Sequence, residues 1–215
     1  MSVQEGAKAQ AEPSLSRLAI YLNELRSQCV IAEQATNDMV NLLLNAHVDT
    51  LFGGYSAQSI RFWYALQSFL TAAANISKLL WPAPSPKRRS SGPDSSARGD
   101  ELRRLLAVED KSQLKARTLR NDVEHLDRHL DELAALVDAT EDPALCVRVI
   151  YAGPPATFGI NPDRCFMYFD ASTHSVTFAG QAFPLMPISH DVYALHERIN
   201  AHLDMPSAPN PGETV

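Results

Sequence analysis

Apolar side chains recur at helical spacing from Ser14 to about Val48, at Leu15, Leu18, Leu22, Leu25, Cys29, Ala32, Met39 and Leu43, behind the start signal Pro13-Ser14. This predicts a first long helix. Gly53-Gly54 interrupts the pattern. It resumes from Ser56 to Trp81 with Ile60, Trp63, Leu66, Phe69, Leu70, Ala73, Ile76 and Leu80, until Pro82 halts a second, largely buried helix. Asp100 to about Val108 reads as a short helix, and Lys111 to Val137 as a long one or as two joined near Thr118. Beyond Asp142-Pro143 the texture becomes β-like at Leu145 to Ile150, Cys165 to Phe169 and Ser175 to Phe178, with a turn at residues 170–174. Val192, Leu195, Ile199 and Leu203 then line one side of a closing helix from His190 to Leu203.

The expected fold class is mainly α: a four-helix bundle followed by a small C-terminal β hairpin or sheet and a closing helix, α+β overall. Residues 1–13 read as a disordered lead and 14–138 as the bundle. A flexible basic loop is expected at 82–99, where four prolines, several serines and Lys87-Arg88-Arg89 leave too little apolar area to order a segment. Residues 143–204 form the β-plus-helix appendage, and the Pro-rich stretch 205–215 a disordered tail.

Charge and cysteine usage narrow the setting. The most apolar window, Ile60 to Trp81, carries Arg61, Gln67, Ser68, Asn75 and Lys78, which suit a buried helix and not a membrane span. Met1 to Glu12 lack the basic start and apolar core of a secretory signal. Cys29, Cys146 and Cys165 are too few and too scattered for a disulfide framework, so a cytoplasmic location is expected. The net charge of −6 opposes a nucleic-acid partner at long range. Between Lys87 and Arg128, however, 11 Lys or Arg face 8 Asp or Glu, so the basic charge concentrates in one region. Lys87, Arg88, Arg89 and Arg117 are the candidate nucleic-acid contacts there.

One segment carries specific chemistry: Arg120-Asn121-Asp122-Val123-Glu124-His125. Leu119, Val123, Leu126, Leu130, Leu133 and Val137 alternate four and three apart, a seam expected to face the core. The seam turns the polar set outward, with Arg120 and Glu124 on one flank and His125 on the other. A second copy of the same face could cover it and bring two Arg and two His together at a dimer interface. These residue types suit RNA cleavage by attack of the ribose 2′-hydroxyl on the adjacent phosphate, which requires no metal or other cofactor. Histidine moves protons near neutral pH and arginine clamps phosphate and its extra transition-state charge. Asn121 could orient either group.

Arg120-Asn121-x-x-x-His125, on four helices in this order, resembles the HEPN superfamily, helical bundles with an Arg-x4-6-His signature and often a polar residue directly after the Arg. The resemblance covers roughly Leu15 to Val137. It implies a metal-independent endoribonuclease, dimeric so that two signatures line one cleft, with Arg120 and His125 catalytic and Asn121 supporting. It also implies a toxin-antitoxin, phage-defence or RNA-processing setting, with RNA and an antitoxin or other protein as partners. Some HEPN toxins silenced by nucleotide transfer carry a Tyr two places after the His, where this chain has Asp127.

Blander readings compete. The i,i+4 pairs Arg120/Glu124, Glu124/Arg128 and Arg128/Glu132 describe a solvated helix face, although that gives Asn121 and His125 no task. Asp122, His125 and His129, at i, i+3 and i+7, have the spacing of helical metal ligands but lack a clear partner helix. Phe62-Trp63-Tyr64 could stack bases and is read as core, and His190, His196 and His202 as ordinary polar surface of the last helix. The alternative to an enzyme is a non-catalytic helical module that binds RNA or protein.

Overall fold

The computed structural model describes residues 17–45, 56–83, 95–116, 121, 125–138, 146–151, 165–178 and 181–204. Among them are five α-helices, α1 (Arg17–Asn45), α2 (Ala57–Leu80), α3 (Ser95–Leu105), α4 (Leu126–Asp138) and α5 (Leu185–Leu203), and four strands, β1 (Cys146–Tyr151), β2 (Cys165–Asp170), β3 (Ser175–Phe178) and β4 (Gln181–Pro184). The fold is mainly helical with a small sheet and a closing helix. The expected terminal lead and tail lie outside the described residues.

The helical core is built on α1. Leu22, Leu25, Cys29, Ala32, Ala35 and Met39 form its buried stripe, three and four residues apart, and α2 and α5 pack along it. Ser56 starts α2 as an N-cap, its hydroxyl accepting from the Ser59 amide at 3.0 Å. Leu66, Leu70, Ile76 and Leu80 of α2 are fully buried. The closing helix is therefore part of the central packing and not of an appendage, because its buried face, Val192, Leu195 and Ile199, shares one apolar cluster with α1 and α2.

The basic loop is shorter than expected at its C-terminal end, since residues 95–99 belong to α3. Gly99 explains the docking. A Cβ there would meet Pro82 Cδ at 2.6 Å and the Leu80 carbonyl oxygen at 2.7 Å, so only glycine lets α3 come this close to the end of α2. At the other end α3 closes with Ala107 at φ 48, the Val108 amide reaching the Arg103 carbonyl (2.9 Å) and the Ala107 amide that of Arg104 (3.4 Å). This is a Schellman closure with alanine in the place that favours glycine.

Of the two readings of Lys111 to Val137, one long helix or two joined near Thr118, the single continuous helix is not formed. Ser112 caps a 3-10 turn at Gln113–Lys115, and Asp191 of α5 accepts from the Ser112 hydroxyl and the Gln113 amide, both at 2.7 Å. The turn is thus tied to α5, and Ala116 follows with ψ 101. Helical hydrogen bonding returns with the His125 amide on the Asn121 carbonyl.

The sheet has the order β1-β2-β3-β4, with β1 parallel to β2 and the other pairs antiparallel. The parallel register sets Cys146 opposite Cys165. Phe166 to Asp170 of β2 are all buried, as expected for a central strand covered on both faces. Phe169 lies against Phe62 of α2 with ring centroids 4.7 Å apart, joining sheet to helices. The β2–β3 turn is set by Asp170, whose carboxylate accepts from the amide (2.8 Å) and hydroxyl (2.6 Å) of Ser172. Burial pushes that carboxyl up, but the hydrogen bonds from Ser172 and Thr173 outweigh it and hold it below the ordinary range. His174 closes the turn at φ 51 and its carbonyl accepts from the Leu185 amide at 3.0 Å.

Candidate functional site

Asn121 and His125 form one helical turn immediately ahead of α4, with the His125 amide bonded to the Asn121 carbonyl at 3.0 Å and the His129 amide to the His125 carbonyl at 3.3 Å. Both side chains are exposed. At four residues apart they share one side of the turn, about 40° from each other. Arg120, and with it Lys87, Arg88, Arg89 and Arg117, lies outside the described residues.

Helix α4 rests on the sheet, touching β2. Among its described side chains His129 and Leu133 are buried, whereas Leu130 is 40% exposed. Of the leucine seam that the spacing suggested, Leu133 faces inward, Leu130 is partly exposed beside the buried His129, and Leu119, Val123 and the side chains of Leu126 and Val137 lie outside the described residues. His129 fits against the sheet because its ring meets Phe178 edge-on, with centroids 5.3 Å apart, while Nδ1 lies 3.3 Å from the Glu132 carboxylate. A polar tip paired at the rim makes an imidazole acceptable against an apolar sheet. His125 and His129 consequently differ in surroundings, one open to solvent and one buried. Among the described residues no group of three His, Cys, Asp or Glu is arranged to hold a metal ion.

Two of the three histidines of α5 have tasks that the sequence did not reveal, while His190 is exposed as expected. His196 Nδ1 pairs with Glu33 of α1 at 2.8 Å in a half-buried contact between the two helices. His202 Nε2 lies 2.9 Å from the Leu105 carbonyl, a geometry that requires the proton on Nε2, and Arg198 Nη1 donates to the Leu106 and Ala107 carbonyls at 3.2 and 2.8 Å. Together they satisfy carbonyls left open where α3 ends. The contacts span about ninety positions of sequence, so no local signal announced them. Cys29, fully buried on α1, has its thiol pushed up to about 12 by burial and by the Glu33 carboxylate, which excludes it as a nucleophile near neutral pH.

A groove of about 590 Å³ runs between α5 and residues 107–114, bordered by Lys111, Gln113, His190, Asp191 and Arg198. Asp191 and Arg198 are committed to the structural bonds above, and Lys111 pairs with Glu109 at 2.7 Å. Of the aromatic run, Phe62 and Trp63 are core as expected, but Tyr64 is 75% exposed, since three successive helical positions cannot all face inward. No helix among the described residues is long and apolar enough to cross a membrane. The sequence matches no family model, no curated protein and no solved structure.

Proposed function

We propose that this chain is a metal-independent endoribonuclease of HEPN type, in which His125 transfers protons, Arg120 clamps the scissile phosphate and Asn121 positions them. The observation that supports it is the Asn121–His125 turn, exposed and held in helical register by its own backbone. A histidine there reaches a ribose hydroxyl or leaving oxygen without disturbing the fold, whereas His129 carries the packing role one turn later. Attack of the 2′-oxygen on phosphorus, with loss of its proton to an imidazole and delivery of a proton to the departing 5′-oxygen, leaves a 2′,3′-cyclic phosphate and a 5′-hydroxyl. Two copies placed face to face would supply two such sets, one to accept and one to donate.

The test is incubation of the full chain and of its His125→Ala and Arg120→Ala variants with RNA in EDTA, followed by analysis of fragment ends. Cyclic phosphate ends with wild type and at least about a hundredfold slower cleavage in both variants are expected. Equal cleavage by all three would exclude the assignment, and intact RNA with a saturable, salt-sensitive complex would convert the reading to a binding module.

A further inference from the structure

Of the three cysteines in the chain, the fold sets two side by side. β1 and β2 run parallel, and their register pairs Cys146 with Cys165, each the first residue of its strand. Paired residues of a ladder share one face of the sheet, and neighbouring strands lie about 4.8 Å apart. That spacing falls within the Cα separation of about 4.4–6.8 Å over which a disulfide closes, once the Cβ atoms draw in to about 4 Å. The start of a strand is where this adjustment is easiest, because the ladder continues on one side only. Arg148 and Ile150 follow Cys146 on the same face of β1. Ile150 is buried and Arg148 exposed, so this face leaves the core toward the strand start. The third cysteine, Cys29, belongs to the helical core on α1.

We infer that Cys146 and Cys165 form a reversible disulfide, closed by exchange with a low-molecular-weight disulfide and opened again by its thiol. One cysteine gives up its proton, and its thiolate attacks a sulfur of the oxidant, forming a mixed disulfide and releasing one small thiolate. The second cysteine loses its proton and attacks the protein sulfur of that mixed disulfide, which forms the Cys146–Cys165 bond and releases the other small thiolate. The two released thiolates take up the two protons. Two protein thiols are thus oxidised and one small disulfide is reduced to two thiols. The bond ties β1, which in the sheet has β2 as its neighbour, to the strand on which α4 rests. The site is separate from His125 and stands whether or not the chain cleaves RNA.

The experiment equilibrates the full chain with mixtures of reduced and oxidised glutathione and stops exchange with acid. Remaining thiols are then alkylated in denaturant, and the chain is digested and analysed by mass spectrometry. Peptides joined through Cys146 and Cys165 are expected from the folded chain, with Cys29 recovered alkylated. The same titration in urea gives the baseline for two thiols that meet by chance. The paired register should raise the equilibrium constant for closure at least about tenfold above that baseline, which is about 30 mV in potential. Cys29→Ser should leave the link and its midpoint unchanged. Cys146→Ser should leave Cys165 free or capped by a single glutathione, and Cys165→Ser should do the same to Cys146. Free Cys146 and Cys165 in the most oxidising mixture, a separate glutathione cap on each, a link from Cys29 to either, or a constant no greater than in urea overturns the inference.

Discussion

The two halves of the core are built by different rules. Around α1, α2 and α5, contacts are apolar stripes on long helices, and polar groups enter as pairs such as Glu33 with His196 or Asp191 with Ser112. Where α4 meets the sheet, a histidine occupies an inward position, a leucine is 40% exposed, and the signature turn stands clear of the packing. The first region spends its sequence on burial, whereas the second keeps Asn121 and His125 exposed at its surface. Phe62 and Phe169, 4.7 Å apart, are one place where the two touch.

The strongest way to break this division is at that contact. Phe62→Ala should cost about 3–5 kcal/mol, since a fully buried aromatic is lost from both regions at once. Chemical denaturation followed separately by helix and tyrosine signals checks it; one shared, weakened transition is expected, and a loss under about 1 kcal/mol would mean that the sheet is not anchored there.

How far sequence reached depends on where each element gets its instructions. β3 at Ser175–Phe178 was legible because its alternation is local, whereas β4 escaped because Gln-Ala-Phe-Pro is short and ends in the residue least suited to a strand. Helix α5 begins at Leu185, five residues before the expected start, because Pro187 is tolerated within a first turn although it suppresses a helical reading. The start of α3 looked like loop because its partner, Pro82 against Gly99, is a tertiary contact. The outward placement of Asn121 and His125 was legible from the pattern, but the inward turn of His129 was not, since it depends on Phe178. The contact of Arg98 with Tyr21 joins residues too distant in sequence for any motif to show.

A second prediction sharpens the contrast by pH. Cys29 lies in the helical half with its thiol raised from 9.0 to about 12. A raised pKa favours the protonated form in the folded state, so this contribution is intact below pH 9.0 and is lost as pH climbs toward 12. Stability should fall along that limb by about 1.4 kcal/mol for each unit. Cys29→Ala should flatten the limb in thermal unfolding at stepped pH; an unchanged slope would remove Cys29 as its cause.

The smallest effect is expected at Ala107. Replacing an alanine at φ 48 by glycine relieves the left-handed strain that closes α3, and Ala107→Gly should stabilise the chain by up to about 1 kcal/mol. A higher midpoint in urea at unchanged slope is the signature. A lower midpoint would show that the bonds from Arg198 to the Leu106 and Ala107 carbonyls already hold this corner rigid.

The junction of β4 and α5 carries a mechanical consequence. The strand ends at Pro184 and the helix begins at Leu185, so a single peptide link, with no intervening loop residue, joins sheet to helix. Proline restricts rotation on one side of that link, and the Leu185 amide is fastened to the His174 carbonyl on the other. There is no slack to absorb a twist. A tilt of the sheet would therefore bear directly on the first turn of α5, which packs along α1.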